Sequence, residues 1–381
     1  MALVLNEEQR MLKDSAKQFF SEKMPINQLR ELRDTSDADG FSRDAWNEMV
    51  ELGWTGIPFP ESFGGLGFGY QGLGVVAEEG GRTLAVSPLF STIWLSGSAI
   101  MLGGSDEQKE AHLPALAAGE KVMALALDEG PHHAPYNIST TAAESGGSYT
   151  LNGEKKFVID GHVADQLVVV ARVSGQAGDR NGLALFLVDG NTDGVTRDRL
   201  NMVDSRNLAH ITLNNVTVGA DALLGVAGEG AEVLDRVLDI GRIGLAAEML
   251  GSAQEAFDRT VQYLKERRQF GVLIGSFQAL KHRAAKMFCE IELSKSVLMD
   301  ALSMLDDDSD ATSVAQAASL AKAQIGETLR LTSREAIQMH GGIGMTDEFD
   351  IGFFMKRAAV VESLLGDVAF HRDRYASLEG Y

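Results

Sequence analysis

A proline-free run of helical periodicity that begins at Gly230 constrains the fold more than any other feature of the chain. Apolar residues recur at helical spacing through Val233, Val237 and Ile240, and the run continues to Gln269. A helix of this length cannot bury its apolar face inside a small lone domain. The run therefore predicts a helical bundle or an oligomer interface, with two further long helices over 277–305 and 311–339.

The spacing of the apolar residues changes between Lys121 and Leu224. Short apolar or alternating runs, such as 167–170 and 183–188, replace the helical spacing. Asn152-Gly153 is a two-residue hairpin signal between two of these runs. Short runs at this spacing predict an antiparallel barrel or sandwich of about a hundred residues.

The N-terminal third of the chain has helical spacing and helix-capping residues. Asn6 with Gln9 predicts a capping box, and Ser42 and Ser105 are predicted N-caps of later helices. The predicted fold class is therefore α+β multidomain, with a central β domain between two helical domains. Its predicted boundaries are 1–120 for the N-terminal all-α domain, 121–225 for the β domain and 226–381 for a C-terminal four-helix bundle.

Composition limits the possible partners and the compartment. A net charge of -20 argues against nucleic acid or an anionic membrane surface as the main partner. No apolar run approaches the ~20 residues that span a bilayer, and the N-terminus lacks the features of a signal peptide. The single cysteine, Cys289, excludes an internal disulfide and favours a reducing cytoplasm. Because Cys289 lies in an apolar helical run, we expect a buried structural thiol.

Two motifs in the C-terminal third carry the chemistry. The first places Arg267 and Phe270 at the end of the long helix. The second contains Gly341-Gly342, where the absence of a Cβ allows close approach of a ligand to the backbone. Together they resemble the FAD-binding signatures of the acyl-CoA dehydrogenase family, whose order of helices, β domain and helical bundle the whole chain matches.

Within that family, two segments give a narrower resemblance. Asp160-Gly161-His162-Val163-Ala164-Asp165 and the Gly366-Asp367 ending are most similar to the small subunit of pimeloyl-CoA dehydrogenase. The family reaction removes an α-proton from an acyl thioester while the β-hydrogen leaves as hydride to the flavin, giving a trans-2-enoyl-CoA. The resemblance implies an acyl-CoA substrate, an electron-transfer flavoprotein as acceptor, and a homo- or hetero-oligomeric tetramer built as a dimer of dimers.

The resemblance also implies a set of FAD-binding residues. Arg267 would meet the pyrophosphate, for which a guanidinium is well suited, and Phe157 would pack on the isoalloxazine. The adenosine end of the FAD would be lined by Gln269, Phe270, Ile274, Phe277 and Gln278. The residues that would reach the same FAD from a neighbouring subunit are Gln338, Gly341 and Gly342. The alternatives are a helix C-terminal charge cluster around Arg267 and an ordinary helix-ending turn at the glycines.

The β domain departs from the family pattern at the flavin. The segment 128–135 reads Asp-Glu-Gly-Pro-His-His-Ala-Pro instead of Thr-Glu-Pro-Gly-Ala-Gly-Ser-Asp, and Ile159 replaces a threonine hydroxyl. His132-His133 raises the possibility of a metal site. No ligand set accompanies the pair at suitable spacing, so we expect a polar loop and no metal.

The positions of the family's glutamate base lack a carboxylate. They are Leu365 near the C-terminus and Gly241 in the long helix. A general base contributes about 10² to 10⁴ in rate, so its loss removes most ordinary turnover. Weak candidates for a relocated base are Glu362 and Asp367, which lie close to Leu365 in sequence.

Three further residues flank Gly241. Asp239 and Glu248 are additional carboxylates, and Asp239 with Arg242 is expected to contact the substrate or shape the helix.

Three hypotheses follow from these vacant positions. The chain is an FAD-containing dehydrogenase subunit whose related partner carries the glutamate, or it is a homo-oligomer with a relocated carboxylate. The third belongs to another class: a flavin-free scaffold that binds acyl-CoA, or an enzyme of the enoyl-CoA hydratase kind.

Overall fold

The computed structural model describes residues 5–307 and 309–381 and divides them into two compact units. We call residues 5–31, 70–85, 242–307 and 309–381 the helical unit, and residues 32–69 and 86–241 the sheet unit. Each unit takes its residues from separate parts of the sequence. The division into three consecutive domains at 120 and 225 therefore stays a prediction.

Eleven helices are found in the described chain, together with short 3-10 turns and a π-helical segment at Phe90–Gly97. The helices are α1 (Glu7–Lys23), α2 (Ile26–Asp34), α3 (Arg43–Glu51), α4 (Gly69–Arg82), α5 (Ser98–Gly103), α6 (Asp106–Ala117), α7 (Gly230–Glu266), α8 (Gln278–Asp306), α9 (Ala311–His340), α10 (Ile351–Ser363) and α11 (Val368–Leu378).

Helix ends that depend on local chemistry were predicted correctly. The Asn6 and Gln9 side chains form the reciprocal capping box of α1, and the Ser42 hydroxyl accepts from Ala45 N at the start of α3. Ser105 caps α6 in the same way. The long helix is confirmed as the 37-residue α7.

Ten strands form an eight-stranded sheet in the sheet unit and a short hairpin in the helical unit. The strands are β1 (Met123–Ala126), β2 (Thr141–Ser145), β3 (Ser148–Ile159), β4 (Gln166–Arg172), β5 (Leu183–Asp189), β6 (Val195–Asn201), β7 (Asn207–Gly219), β8 (Leu223–Leu224), β9 (Arg268–Gln269) and β10 (Val272–Leu273). The order in the large sheet is β6-β7-β3-β2-β4-β5-β8, with β1 paired to β4.

The prediction of a purely antiparallel β domain was wrong. β1 pairs with β4 in parallel over four residues, and β2 meets β4 in parallel at Thr141 and Arg172, so the sheet is mixed. Periodicity within one strand does not reveal the direction of a partner that is distant in sequence. The predicted fold class is confirmed, because the chain has a helical N-terminal part, a central sheet and a C-terminal helical part.

The hairpin predicted at Asn152-Gly153 was also wrong. Both residues lie inside β3, and the turn between β2 and β3 is at Gly146 and Gly147. The register of β3 against β7 shifts between Leu151 and Gly153. A Cβ at Gly153 would lie 2.3 Å from Thr140 Oγ1, so this glycine serves a bulge and a close contact instead of a turn.

Each unit has its own apolar core. The inner face of the sheet buries residues such as Val158, Phe186 and Ile211, and a smaller cluster around Leu264 and Met287 lies in the helical unit. Cys289 is exposed on α8, so the expectation of a buried thiol was wrong. None of the helices in the described chain is long and apolar enough to cross a membrane.

Candidate functional site

The segment that follows α7, which we call the cofactor hairpin (residues 267–278), exposes aromatic side chains. Phe270 is 90% exposed and lies at the turn between β9 and β10 with φ +54°. Phe277 packs edge-on against it, with ring centroids 6.3 Å apart, and is 38% exposed. Two adjacent exposed phenylalanines form a surface on which a planar group or another protein chain can pack.

Polar groups of the cofactor hairpin are available to a ligand. The Arg267 side chain is exposed, and its guanidinium has no hydrogen-bonding partner or ion pair among residues 5–307 and 309–381. Gln269 and Gln278 are also exposed. A free guanidinium beside exposed aromatic rings has the donors and the charge that a diphosphate requires.

The second predicted motif forms an open turn after α9, which we call the glycine turn (Gly341–Met345). Gly341 has φ +63°, and a Cβ built on either Gly341 or Gly342 would meet no atom within 4 Å. Gln338, in the last turn of α9, is exposed. Below the turn, the buried His340 ring stacks on Tyr263 at 4.4 Å. The turn therefore presents bare backbone on a rigid base.

Ile274 differs from the other predicted cofactor residues of the hairpin. Its side chain is buried with Leu264, Met287 and Met339, while its neighbours Phe270 and Phe277 are exposed. A direct contact between Ile274 and the cofactor stays a prediction. In this structure the residue anchors the base of the hairpin.

Phe157, the predicted flavin-covering residue, belongs to the sheet unit and has an unusual backbone. It has φ +56° at a second irregularity in the β3–β7 register, between Lys155 and Val158. Its ring packs edge-on against His210 of β7 at 5.6 Å. A non-glycine residue with positive φ is strained, and such strain concentrates at functional sites.

The altered segment 128–135 is held by its own carboxylates. His133 Nδ1 lies 3.0 Å from Asp128 Oδ2, and Ala134 N donates to the same carboxylate. Glu129 accepts from Ser139 N, Thr140 N and Lys155 Nζ. The segment is thus a polar loop that is bonded both within itself and to residues 139, 140 and 155.

The pKa values of Lys155 and of Glu129, the two residues of the ion pair at this loop, depend on their burial. Burial lowers the pKa of Lys155 to about 8, although its ion pair with Glu129 opposes that shift. Burial would raise the pKa of Glu129, but Lys155 and the hydrogen bonds from Thr140 and Ser139 together outweigh burial, and the pKa is lowered. Both groups are therefore mainly charged at neutral pH. Among the described residues no three His, Cys, Asp or Glu side chains converge as a metal site.

The segment 364–367, which contains one of the predicted base positions and which we call the Leu365 loop, has a constrained backbone. Leu365 is buried and has φ +57°. Gly366 has φ +105°, and a Cβ there would lie 2.4 Å from Phe370 Cδ1 and 2.8 Å from His371 Nε2. A left-handed leucine next to an obligatory glycine makes this loop a strained, specified structure.

Buried side chains bind the carbonyl groups of this loop. Leu365 O accepts from Arg242 Nε at 3.2 Å and from His371 Nε2 at 3.0 Å. Gly366 O accepts from Lys322 Nζ at 3.0 Å. All peptide bonds of the described chain are trans, so the N–H of Gly366 points away from Arg242 and His371.

The amides of the loop are left without acceptors. No hydrogen-bond acceptor for the N–H of Leu365 or Gly366 is found in the described part of the chain, although both residues are buried. Buried amides are almost always paired. This pair is therefore suited to receive an oxygen atom of a ligand.

The titration of these buried groups follows from their surroundings. Burial, reinforced by the charge of Arg242, lowers the pKa of Lys322 to about 7. Burial and the charge of Arg242 also hold the pKa of His371 far below its usual value, so the ring is neutral. With Nε2 donating to Leu365 O, His371 Nδ1 faces the Ser319 hydroxyl at 3.4 Å.

The carboxylates considered as a relocated base have other partners. Asp367 caps α11 by accepting from Phe370 N at 2.8 Å, and Glu362 lies 3.6 Å from Arg330 Nη1. Glu248 pairs with Arg357 Nε at 2.8 Å. Asp239 is buried on α7 and has interacting groups of its own.

Arg242, predicted to bind substrate, is almost completely buried. Its guanidinium contacts the Leu365 loop and lies 5.5 Å from the centroid of the Phe370 ring. Substrate contacts of Asp239 and Arg242 stay predictions. The arrangement supports a role of Arg242 in shaping the loop.

The comparisons with known proteins identify the family. The N-terminal, middle and C-terminal domains of acyl-CoA dehydrogenase match residues 6–120, 128–216 and 228–377. The caffeyl-CoA reductase-Etf complex subunit CarC of Acetobacterium woodii is 30% identical over 356 residues, 92% of each chain. The chain belongs to the acyl-CoA dehydrogenase family. It is therefore an oxidoreductase of the kind that acts on CH–CH groups, and its cofactor is FAD.

Solved structures of this family have the same fold along the whole chain. Butyryl-CoA dehydrogenase from Megasphaera elsdenii matches with a TM-score of 0.89 and 26% identity, covering 99% of both chains. The Tcur3481-Tcur3483 steroid ACAD matches with a TM-score of 0.88 and 30% identity, covering 98% of both. The open glycine turn and the free Arg267 guanidinium fit the FAD of this family.

Sequence reasoning missed Lys322 and His371. Lys322 interrupts the run Ala317-Ala-Ser-Leu-Ala-Lys-Ala in the middle of α9, and a lone lysine among small residues of a long helix could have indicated a buried cation. His371 has no comparable signal, because its contacts depend on where the chain turns after α10.

Proposed function

We propose that this chain is an FAD-binding subunit of an acyl-CoA dehydrogenase whose proton-abstracting carboxylate comes from a sequence-related partner chain. The reaction converts an acyl-CoA into a trans-2-enoyl-CoA. The observation that carries the proposal is the Leu365 loop: its backbone is fully specified, yet leucine occupies the position of the base. The two carboxylates nearest to Leu365 in sequence, Asp367 and Glu362, are engaged with other groups.

This chain supplies binding and orientation to the reaction. The free N–H groups of Leu365 and Gly366 receive the thioester carbonyl oxygen, which favours the negative charge that develops there when the α-proton leaves. Arg267 would hold the diphosphate of the cofactor, and the glycine turn would reach the same FAD from a neighbouring subunit. FAD, when bound, would supply the acceptor for the hydride that leaves the β-carbon. The α-proton goes to the partner's carboxylate.

Relatives support an assembly of this kind. CarC is named as a subunit of a reductase-Etf complex, and the steroid ACAD carries the names of two chains. We propose an electron-transfer flavoprotein as electron acceptor and a tetramer of two chain types. Exposed apolar side chains of the helical unit, among them Phe288, Leu293 and Met345, are available for its interfaces. The narrower resemblance in segments 160–165 and 366–367 favours a role like that of the pimeloyl-CoA dehydrogenase small subunit.

Native mass spectrometry of the complex purified from its own cells tests the proposal. We expect the 41.0 kDa chain to be accompanied by a second chain of similar length that has glutamate at a family base position. Dehydrogenation of acyl-CoA should require both chains. A homo-oligomer of this chain with bound FAD and full dehydrogenase activity would refute the proposal.

A further inference from the structure

The most unusual group outside the predicted site is the ammonium of Lys322. It is completely buried on α9 and donates to three backbone carbonyls: Val361 O at 2.9 Å, Glu362 O at 3.2 Å and Gly366 O at 3.0 Å. Within residues 5–307 and 309–381, no carboxylate lies within ion-pair distance of Lys322 Nζ. Burying a cation without a counter-ion is costly, so its retention calls for a specific reason.

Helix capping alone does not supply that reason. Val361 and Glu362 belong to the last turn of α10, whose carbonyls have no partner within the helix. A lysine near a helix C-terminus stabilises it from the surface as well, and a surface lysine would keep its hydration. The third bond, to Gly366 O, links α9 directly to the Leu365 loop. This bond depends on the buried position.

The three bonds fix the loop at its two ends. Lys322 ties the last turn of α10, where the chain enters the loop, to Gly366, where the chain leaves it. Arg242 and His371 hold the intervening Leu365 carbonyl. With these carbonyls held on one side, trans peptide geometry directs the Gly366 amide to the other.

We propose that Lys322 is a positioning residue that holds the Leu365 loop so that its free amides meet the thioester carbonyl of the acyl-CoA. Lys322 does not touch the substrate and acts through the backbone of Gly366. This inference rests on the proposed function, because it assumes that an acyl thioester is the ligand of the loop.

The test compares ligands with and without the carbonyl. The native complex and a complex containing Lys322→Met are titrated with saturated acyl-CoA thioesters of four to sixteen carbons and with the matching S-alkyl-CoA thioethers. We expect the variant to bind the best thioester about 10-fold more weakly, the effect of losing roughly one well-placed hydrogen bond. Affinity for the thioether should be unchanged, because it has no oxygen to place.

A control separates positioning from general stability. Thr328 is also buried on α9, where its hydroxyl bonds Ser294 Oγ at 2.8 Å, and no hydrogen bond joins its side chain to the Leu365 loop in the described chain. Thr328→Val should lower the melting temperature without changing the preference for thioester over thioether. If Lys322→Met does not fold, Lys322→Gln, which keeps two N–H donors and removes the charge, is titrated in its place and should show a smaller loss of the same sign.

The outcomes distinguish the two proposals. If the native complex binds thioester and thioether alike, or binds neither, the proposed function of the loop is wrong. If the native complex prefers the thioester and the Lys322 variants keep that preference while losing stability, Lys322 is only a structural cation and the inference is overturned.

Discussion

The cofactor hairpin and the Leu365 loop belong to the same helical unit and are built in opposite ways. Around Arg267 and Phe270 the polar and aromatic groups are exposed, and a Cβ added at Gly341 would meet nothing. Around Leu365 the carbonyls are bonded by buried side chains, and a Cβ added at Gly366 would overlap the Phe370 ring. The first region is open to a large ligand, whereas the second presents only a narrow backbone surface.

If Leu365 replaces the family's base, as we propose, the difference shows what the loss of that side chain leaves behind. A family member that no longer needed the loop could relax Leu365 out of its left-handed conformation and replace Lys322 by an apolar residue. This chain keeps both costly features. In our proposal, the loop binds the thioester although it lacks the base that the family usually places there.

The largest effect is expected from Leu365→Glu, which returns a carboxylate to the closed region. Because the loop backbone is already formed, we expect dehydrogenation by the FAD-loaded chain without a partner to rise at least about 100-fold, the lower range for a general base. Leu365→Gln has a similar shape without the base and should give no gain. The measurement is acyl-CoA-dependent reduction of an artificial electron acceptor. Equal rates for the two variants would mean that position 365 does not face the α-carbon.

The next effect concerns the open region. Arg267→Ala should weaken FAD binding by about 10- to 100-fold, because a charge-assisted hydrogen bond contributes about 1.5–3 kcal/mol. Arg268, the next residue, is also exposed, and Arg268→Ala serves as the control, with FAD affinity close to native. Fluorescence titration of the apoprotein with FAD measures both. An unchanged affinity in Arg267→Ala would remove the assignment of the diphosphate site.

A pair of glycine substitutions compares the two regions directly. Gly366→Ala adds a Cβ 2.4 Å from Phe370 Cδ1, and we expect a loss of about 1–3 kcal/mol from overpacking beyond the cost of its positive φ. Gly341→Ala has the unfavourable backbone conformation (φ +63°, ψ -139°) without the clash, so its loss should be only the cost of that conformation, about 1–3 kcal/mol. Urea unfolding monitored by circular dichroism measures both, and equal losses would contradict the contrast between a closed and an open turn.

The last effect is a pH dependence of stability from Lys322. Its pKa is about 7 in the folded chain and about 10.5 when exposed, so between these values the unfolded chain binds more protons and stability rises with pH. Below pH 7 the lysine is charged in both states and its burial penalty is complete. The melting temperature of the native protein should therefore rise relative to Lys322→Met from pH 7 to pH 9.5. A constant difference would show that the buried amine does not titrate in this range.

Sequence reasoning predicted the features set by neighbouring residues and missed those set by distant ones. Asn6, Ser42 and Ser105 cap helices through residues three positions away, so their patterns were sufficient. Gly153 was misread because its function depends on Thr140, a contact that no local pattern reveals. The parallel pairing of β1 with β4 was missed for the same reason.

The candidate site also has some features that are set by neighbouring residues and others that are set by distant ones. The motifs around Arg267 and Gly341 are contiguous in sequence and could be read from it, and the absence of glutamate at Leu365 was visible as well. The support of the Leu365 loop was not visible, because Arg242, Lys322 and His371 come from three helices. Only packing brings these side chains to one loop.

Exchange of the α-proton of an acyl-CoA with deuterated water tests the central claim most directly, since it reports the base and does not require electron transfer. The FAD-loaded chain without its partner, saturated with an acyl-CoA, should incorporate deuterium at the α-carbon no faster than the free thioester in buffer. Addition of the partner chain should start the exchange. Rapid exchange by the chain alone would show that it has its own base and would contradict the account.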